Sequence, residues 1–413
     1  MKLGLEAMDA VCSRLARPER RFASVLVAGT NGKGSTAATL AAIATCAGLK
    51  TGLYTSPHLI DVTERIRIGW RDVERDQLEG AVAAVFAAAD EKPAMPLTYF
   101  EALTAAAFVI FADWKIDLAV LEVGLGGRLD ATNVANPVLS IVTSVGFDHM
   151  ADLGPTLASI AREKAGVFRW RKPALVRARA PEAVTALGEA SDATGAFWHD
   201  AEREVTISRV VTGVEGTRFG LVTPKRMYGL QTPLPGAHQA YNAALAVRAA
   251  ELLEREFPRL TAVACTTGVR SVFWPGRLER FAVGGRALLL DGCHNTEGAA
   301  ALAGFLEDAG LSGRVELVFG AMADKDVEGI AAELFARVRS VRLVPAGTER
   351  AASPEDLMRR VGSISPGAAA CGSFAEAIEE LLAAGGSEPI IVAGSLYLVG
   401  EARRLLVSGK FEE

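Results

Sequence analysis

The chain has 413 residues, of which 50% are hydrophobic and 23% are charged, so we expect a globular protein with a sizeable core and two domains. Its net charge of −5 gives no electrostatic footprint for nucleic acid or an anionic membrane. No apolar run reaches the roughly 18 to 20 residues of a membrane helix, and charges throughout the N-terminal segment predict no signal peptide.

The five cysteines are scattered, contain no C-x-x-C pair and are odd in number. This pattern favours reduced thiols over disulfides or a zinc site, and we therefore expect a cytoplasmic protein. We expect neither nucleic acid nor a membrane as a partner.

In chain order, short apolar runs alternate with longer helical patterns. The runs at 24–29, 118–124 and 138–146 lack polar alternation. Such runs are typical of buried strands in a parallel sheet that is covered on both faces. The sequence therefore predicts a doubly covered α/β sheet in the first part of the chain.

Helical spacing of apolar residues predicts helices from about Ser35, over 156–168 and over 238–256. Between the last two, residues 203–223 alternate in polarity around a glycine-rich turn. This alternation predicts an antiparallel hairpin appended to the main sheet.

After about residue 280 the strand and helix alternation restarts. Four further buried strands, separated by helical stretches, are predicted at 286–292, 315–321, 340–346 and 389–395. We therefore place a domain boundary near residue 280 and expect a small Rossmann-like sheet in the second unit.

Residues 27–36, VAGTNGKGST, join the first strand to the first of these helices. In a glycine-rich turn, backbone N–H groups can converge on an anion, and the following helix adds the positive end of its dipole. Lys33 adds a mobile positive charge, so the segment predicts a cradle for a triphosphate. Val27 and Gly34 depart from the common P-loop pattern, which has a glycine and a hydroxyl residue there. A glycine-rich turn without a ligand is the alternative.

The loop GTNGKGST resembles the phosphate loop of the Mur ligase superfamily, in the form found in folylpolyglutamate synthase and dihydrofolate synthase. Further segments resemble blocks of that family in the same order, and LEVGLGGRLDATN together with REKAGVFR is highly specific to it. These segments lie at 53–68, 97–102, 121–133, 144–154, 160–169, 236–246, 274–279, 291–295, 324–326 and 394–401. Thr63, Phe147 and Cys293 depart from the family pattern, and none of them removes an expected ionisable group.

The resemblance implies an α/β fold in two parts. Residues 1–280 would form a P-loop ATPase domain with a mainly parallel sheet and an antiparallel hairpin section. Residues 281–413 would form a smaller Rossmann-like domain on the glutamate side of the cleft. A monomer is the family default.

The resemblance also implies an ATP-dependent ligase that adds L-glutamate to the carboxylate of a folate or a dihydropteroate. Carboxylate oxygen is a poor leaving group, so ATP would first convert the carboxylate into an acyl phosphate. Such a site must neutralise the triphosphate and the carboxylate and then exclude water. Magnesium with oxygen ligands fits this task, and the family implies two such ions.

Glu122 ends a predicted buried strand, where parallel α/β sheets place their ligands. From the residue alone, a strand-end glutamate paired with an arginine is equally acceptable, and the resemblance makes Glu122 a metal ligand. Ser35 is the loop hydroxyl expected on magnesium, with Thr36 as the fallback. The resemblance adds Ser56 beside Glu122.

His149 and Lys164 complete the implied metal set. Four of the five histidines, at 58, 149, 238 and 294, lie within matched segments, which argues against chance for His149. A lysine on a helix is usually solvated or salt-bridged, but the family implies that Lys164 is carbamylated by CO2. The carbamate would replace an ammonium with an anionic oxygen ligand, and it requires a lysine that can lose its proton.

The implied catalytic residues are Lys33, Glu122, His149 and Lys164, and the implied metal ligands are Ser35, Ser56, Glu122, His149 and Lys164. The implied nucleotide contacts are Thr30, Asn31, Gly32, Lys33, Gly34, Ser35, Thr36, Asn242, Arg277, Asp291, His294, Lys325 and Ser395.

Two other functions stay open. Another Mur-type amino-acid ligase, such as a cell-wall ligase, usually carries an extra N-terminal domain, whereas only residues 1–26 precede the loop here. A nucleotide-binding regulator would need Lys33 and the loop but not Glu122, His149 and Lys164 together. Dihydropteroate and reduced folate are not distinguished as acceptors, because family members of both types share these motifs.

Overall fold

The computed structural model describes residues 4–365 and 367–411, and in them 17 strands form three sheets. The strands are β1 Ala23–Ala28, β2 Thr51–Tyr54, β3 Ile66–Ile68, β4 Arg71–Asp72, β5 Leu118–Glu122, β6 Leu139–Val142, β7 Pro173–Val176, β8 Phe197–Asp200, β9 Thr206–Gly213, β10 Gly216–Val222, β11 Met227–Thr232, β12 Arg277–Val283, β13 Arg286–Asp291, β14 Glu316–Phe319, β15 Ser340–Leu343, β16 Ala369–Ala370 and β17 Ile390–Ala393.

Helices connect most of the parallel strands. They are α1 Glu6–Arg14, α2 Lys33–Cys46, α3 Arg75–Asp90, α4 Tyr99–Asp113, α5 Met150–Leu153, α6 Leu157–Ala165, α7 Pro181–Thr194, α8 Ala201–Glu204, α9 Ala237–Leu253, α10 Ala262–Ser271, α11 Thr296–Asp308, α12 Val327–Leu334, α13 Pro354–Val361, α14 Phe374–Ala383 and α15 Leu396–Val407.

The largest sheet has eight strands in the order β4-β3-β2-β5-β1-β6-β7-β8. The strands from β2 to β8 in this order run parallel, and β3 and β4 continue the sheet antiparallel. Successive residues of β1 enter opposite cores: Leu26 packs with α1, α3 and α4, whereas Val25 packs with α2, α9 and α10. Burial on both faces explains why this strand is continuously apolar, as predicted.

Three of the predicted helices are confirmed with small shifts at their ends. The first begins at Lys33 rather than Ser35. The second, α6, has Thr156 as its N-cap, because the side chain of Thr156 accepts a hydrogen bond from the backbone N–H of Ser159. The third is α9.

The predicted hairpin is confirmed as β9 and β10, but it belongs to a three-stranded antiparallel sheet whose other edge is β11. β11 follows Pro224, where the sequence interpretation ended the alternation. Its buried side chains, which include Tyr228 and Leu230, join the core formed with α9 and α10. Tertiary packing therefore extends the hairpin into a sheet.

The second large sheet has six strands in the order β12-β13-β17-β14-β15-β16. The four predicted strands are confirmed as β13, β14, β15 and β17, and they run parallel. The sequence interpretation missed β12, which pairs antiparallel with β13, and the two-residue β16. The predicted boundary at residue 280 falls inside β12, and we propose a division just before Arg277 instead.

In the part of the chain that the structure describes, no helix combines the length and the apolar character that a bilayer crossing requires.

Close packing of α10 on α2 leads to the first prediction. A Cβ atom at Gly268 would lie 2.4 Å from the Cα of Ile43, and backbone cannot move aside as a side chain can. We expect Gly268→Ala to lower the free energy of unfolding by about 1 to 3 kcal/mol. Gly304→Ala is the matched control, because this helical glycine of α11 has no atom within 4 Å of its added Cβ. Alanine should raise stability there by up to about 1 kcal/mol. Urea unfolding measures both changes, and equal effects would contradict the packing argument.

Candidate active site

Four neighbouring strands, β2, β5, β1 and β6, end at one edge of the eight-stranded sheet. Because they are parallel, the segments that follow them converge there. The phosphate loop, residues 29–34, follows β1. Ser56 follows β2, Glu122 ends β5, and Ser144 to His149 follow β6.

The phosphate loop lies so close to its neighbours that two of its glycines have no space for a side chain. A Cβ at Gly29 would lie 2.0 Å from Oγ1 of Thr143, and one at Gly32 would lie 2.4 Å from Oδ1 of Asn242. Gly32 also has a φ of 84°, in the left-handed region that glycine adopts readily. Glycine at these positions therefore permits both the backbone turn and the close contact of the loop with its neighbours.

Residues after β6 hold the loop in place. Thr143 Oγ1 donates to the carbonyl of Asn31 at 2.7 Å, and the N–H of Asn31 donates to Ser144 Oγ at 2.9 Å. Thr30 Oγ1 donates to the carbonyl of Gly146 at 3.1 Å and accepts from the N–H of Gly146 at 3.0 Å. These bonds tie the loop to the segment that carries His149.

The positive charge of Lys33 lies within the loop itself. Its Nζ donates to the carbonyl oxygens of Gly29 at 3.1 Å and Thr30 at 3.0 Å. The first turn of α2 places Ser35 on the cavity wall, whereas the hydroxyl of Thr36 is buried without a hydrogen-bond partner. Ser35 is thus the better placed of the two predicted hydroxyls.

A cavity of about 300 Å³ opens between this edge and the C-terminal sheet. It brings together most of the predicted site residues: Thr30, Asn31, Gly32, Lys33, Gly34, Ser35, Ser56, Glu122, His149, Lys164, Asn242, Arg277, Asp291 and His294. Thr36, Lys325 and Ser395 are not among the residues that line it.

Glu122 is 5% exposed, and its Oε2 accepts one hydrogen bond, from the N–H of Ser56 at 3.0 Å. Burial raises the pKa of Glu122 above its ordinary value, and the nearby charge of Lys33 acts in the opposite direction. Among the described residues, no cation lies within ion-pair distance of this carboxylate. A buried carboxylate facing a cavity in this way is suited to bind a cation that enters it.

Lys164 is buried on α6 at 3% exposure. Among the described residues, no carboxylate lies within 4 Å of its Nζ, so a surface ion pair is not its role. Burial, with a further contribution from the charge of Lys33, lowers the pKa of Lys164 to about 7, and Asp148 and Glu297 oppose the shift. A substantial fraction of neutral amine is therefore present near neutral pH.

His149 is the N-cap of the short helix α5 and has a φ of 49°. Its side chain is 48% exposed, and its Nε2 lies 3.8 Å from Oδ1 of Asp148. Burial lowers the pKa of His149, so the neutral ring that can bind a metal is favoured. Asp148 also forms an ion pair with Lys325, whose Nζ lies 3.4 Å away, so Lys325 reaches the N-terminal part of the site through a carboxylate.

The C-terminal sheet contributes residues that follow β13. Both oxygens of Asp291 accept backbone hydrogen bonds, from the N–H of Leu278 at 3.2 Å and from the N–H of Cys293 at 3.0 Å. His294 Nδ1 lies 2.8 Å from the carbonyl of Gly292, so Nδ1 donates and Nε2 is left as an acceptor. Burial lowers the pKa of His294 to about 4.

Ser395 caps α15, because its Oγ accepts a hydrogen bond from the N–H of Tyr397 at 3.1 Å. It is 1% exposed and lies behind the cavity wall. Its predicted contact with nucleotide therefore stays a prediction without support from the geometry. The sequence alone cannot distinguish a helix-capping serine from a serine that contacts a ligand, because serine is common in both roles.

Sequence reasoning missed a polar contact between the phosphate loop and α11. Asn31 Nδ2 donates to Oε2 of Glu297 at 2.6 Å, and Asn295 Nδ2 donates to Oδ1 of Asn31 at 3.2 Å. Glu297 follows the matched segment DGCHN, and in the first turn of a helix a glutamate needs no further explanation than the helix dipole. The sequence position of Glu297 therefore gives no indication that the residue lines the cavity.

Within the described residues, no three His, Cys, Asp or Glu side chains form a ready-made metal cluster. Magnesium does not require one, because it usually keeps water and takes phosphate oxygens together with one or two carboxylates. Glu122 and the hydroxyls of Ser35 and Ser56, which all line the cavity, provide oxygen donors of the required kind. The residues present therefore fit a magnesium ion bound together with a nucleotide.

Comparison with known proteins identifies the family of the chain. Residues 27–250 match the Mur ligase middle domain, and residues 276–396 match the Mur ligase glutamate ligase domain. The dihydrofolate synthase/folylpolyglutamate synthase of Bacillus subtilis (strain 168) is 33% identical over 98% of this chain and 95% of its own length. The chain belongs to the folylpolyglutamate synthase/dihydrofolate synthase family of Mur ligases.

Solved structures of this family have the same fold. Escherichia coli FolC in complex with DHPP and ADP is 31% identical, with a TM-score of 0.88 over 99% of this chain and 94% of that one. Mycobacterium tuberculosis folylpolyglutamate synthase complexed with ADP is 32% identical, with a TM-score of 0.89 over 97% of this chain and 94% of that one. The two-part α/β architecture expected from the sequence is thus that of the family.

The tight fit of Gly32 gives a prediction about nucleotide binding. Gly32→Ala would strain the backbone and displace Asn242, so we expect ADP to bind at least about tenfold more weakly, since 1.4 kcal/mol corresponds to tenfold. Gly48→Ala is the control: its φ is 77°, yet no atom lies within 4 Å of its added Cβ. It should lose some stability and keep its affinity for ADP. Calorimetric titration measures both, and a matching loss in the control would show that strain alone is responsible.

Proposed function

We propose that the protein is an ATP-dependent ligase that joins L-glutamate to a dihydropteroate or folate carboxylate. The observation that carries the proposal is the single cavity shared by Lys33, Glu122 and Lys164 with residues of the C-terminal sheet. The names of the family relatives support the choice of substrates.

The reaction has two steps. An oxygen of the acceptor carboxylate attacks the γ-phosphorus of ATP, ADP leaves, and an acyl phosphate forms. The ammonium group of glutamate loses a proton to solvent, and the resulting amine attacks the acyl carbon. The C–O bond to phosphate breaks, inorganic phosphate leaves, and the nitrogen releases a second proton as the amide forms. Lys33 offsets the negative charge on the phosphates, and the reaction requires that water be kept from the acyl phosphate.

Magnesium, when bound, would supply charge neutralisation on the phosphates. Ser35, Ser56 and Glu122 are the residues that would hold one ion. His149 and a carbamate on Lys164 are those proposed for a second. The carbamate proposal is supported by the burial of Lys164, by its lack of an ion pair among the described residues and by its lowered pKa.

The two alternative functions are less well supported. The relatives named here are folate ligases rather than cell-wall ligases. A nucleotide-binding regulator gives no reason for Glu122, His149 and Lys164 to line one cavity. The choice between dihydropteroate and reduced folate, the monomeric state and the cytoplasmic location stay predictions from sequence.

One assay tests the function. Purified protein with ATP, magnesium and labelled glutamate should form product with dihydropteroate, with tetrahydrofolate, or with both. Lys33→Ala should remain folded and lose about a hundredfold or more in rate, because a charge-assisted donor is removed from the phosphates. Lys50→Ala, at an exposed position, is the control. Turnover of Lys33→Ala at the wild-type rate would reject the phosphate-loop assignment.

The proposed carbamate is tested separately. We expect Lys164→Ala to remain folded and inactive, and a short carboxylic acid such as acetate or propionate to restore part of the activity by occupying the vacated volume. Lys164→Arg should not be rescued, because guanidinium stays protonated and cannot form a carbamate. Removal of CO2 at mildly acidic pH should lower the wild-type rate, because protonation favours loss of CO2, and bicarbonate near neutral pH should restore it.

A crystal structure decides the question directly. Density for an ordered, unmodified amine at Lys164, in a complex with magnesium and nucleotide grown near neutral pH with bicarbonate, would contradict the carbamate.

A further inference from the structure

The second step of the proposed reaction requires an amine nitrogen to be held at the phosphoryl end of the cavity. Free glutamate enters with two carboxylates and one ammonium group, and an anionic partner forms the strongest hydrogen bond to that nitrogen. Among the described residues, four acidic side chains line the cavity: Glu122, Asp148, Asp291 and Glu297. The hydrogen-bond and ion-pair partners of these four carboxylates show which of them is free to bind the ammonium group of the amino acid.

Three of the four are already engaged. Asp291 accepts backbone hydrogen bonds on both oxygens. Asp148 forms an ion pair with Lys325. Glu122 is buried at the strand end, where it is proposed to hold magnesium.

Glu297, like Asp291, reaches the site from the C-terminal part of the chain, but its partner is a neutral side chain rather than backbone N–H groups. It lies in the first turn of α11, and its Oε2 accepts a hydrogen bond from the neutral amide of Asn31 at 2.6 Å. A Cβ at Gly146 would lie 2.8 Å from the same oxygen, so the carboxylate lies against the segment that leads from β6 to His149. Among the described residues, no cation forms an ion pair with Glu297.

The place of this charge requires an explanation, because ATP brings further negative charge to the same loop. A carboxylate there is repelled by the phosphates unless a cation lies between them. Lys33 and bound magnesium would offset part of that charge, and the ammonium group of the incoming amino acid, before it loses a proton to become the attacking amine, is a further cation that the site must hold. Glu297 is also exposed, so an exchanging substrate can reach it.

We propose, on the basis of the proposed ligase function, that Glu297 binds the α-ammonium group of the incoming glutamate. The assigned role is to bind the cation and position its nitrogen, and it includes no proton transfer. Arg277 also lines the cavity and supplies a cation for a substrate carboxylate.

Glu297→Gln removes the charge and keeps an oxygen that can accept from Asn31, so the contact between α11 and the loop is preserved. We expect KM for L-glutamate to rise about 10- to 100-fold, the loss typical of one charge-assisted hydrogen bond. Glu297→Asp should be less impaired. Glu307→Gln is the matched control, because Glu307 lies on the same helix and pairs with Arg337 at the surface.

Two probes distinguish binding of the ammonium from a structural role. Hydroxylamine, which is largely uncharged at neutral pH, can trap the acyl phosphate as a hydroxamate, and Glu297→Gln should form hydroxamate at the wild-type rate. Glutarate has both carboxylates of glutamate and no ammonium, so it should inhibit the variant at least as strongly as the wild type. Equal loss with glutamate and hydroxylamine, or an unchanged KM for glutamate, would overturn the assignment.

Failure of the proposed function has a different signature. A wild-type protein that forms no hydroxamate with either acceptor is not this ligase. Calorimetric titration with L-glutamate and with glutarate, in the presence of a non-hydrolysable ATP analogue, then tests Glu297 independently of turnover. Weaker glutamate binding in Glu297→Gln with unchanged glutarate binding supports the assignment, and equal binding of glutamate by both proteins, or none, overturns it.

Discussion

The close approach of the phosphate loop to three other segments is the constraint on which the site depends. Gly29 lies against Thr143 after β6, and Gly32 lies against Asn242 of α9. A Cβ at Gly34 would lie 2.8 Å from the ring of Trp274, which leads into β12. The loop is therefore enclosed by the segment that carries His149, by the helix that carries Asn242, a predicted nucleotide contact, and by the entry to the second sheet. A displacement of the loop would therefore change its contacts with all three segments.

Burial gives the residues around the loop their chemical character. Glu122 and Lys164 are both nearly inaccessible, and burial disfavours the charged form of each, so the pKa of the acid rises and that of the amine falls. Neither has an ion-pair partner within the part of the chain that the structure describes. A folded protein that keeps such groups beside Lys33 carries a free-energy cost in its ligand-free form, and ligands of opposite charge relieve it.

The sequence predicted what is local or periodic. Continuous apolar runs indicated β1, β5, β6 and the four parallel strands of the second sheet, because buried parallel strands need apolar side chains on both faces. The position of Glu122 at a strand end correctly predicted that it lies at the edge of the sheet. The resemblance of the segment REKAGVFR to the family predicted that Lys164 lies in the same site. The sequence did not predict strands that are defined by pairing or packing with distant segments. β12 is an edge strand recognised only through its partner β13, and β11 needs the core beneath it.

The roles of individual polar residues were harder to predict, because one residue type serves several purposes. Asp291 is on the cavity wall as expected, yet its oxygens accept backbone N–H groups. Ser395 is a helix cap, and Lys325 pairs with Asp148 from the other domain. No local pattern encodes the contact between Asn31 and Glu297, since the residues are far apart in sequence and each is unremarkable in its own segment.

The two parts of the chain meet through contacts of two kinds, and the difference bears on how the cavity could exchange its ligands. Near the phosphate loop the contacts are polar: Asn31 with Glu297 and Asn295, and Asp148 with Lys325. Water can replace such bonds at small net cost. Leu59 instead packs among apolar residues of the C-terminal core, and a Cβ at Gly400 would lie 2.1 Å from its carbonyl oxygen. Separation there would expose apolar surface, so the polar side of the junction is the side that opens at the lower free-energy cost.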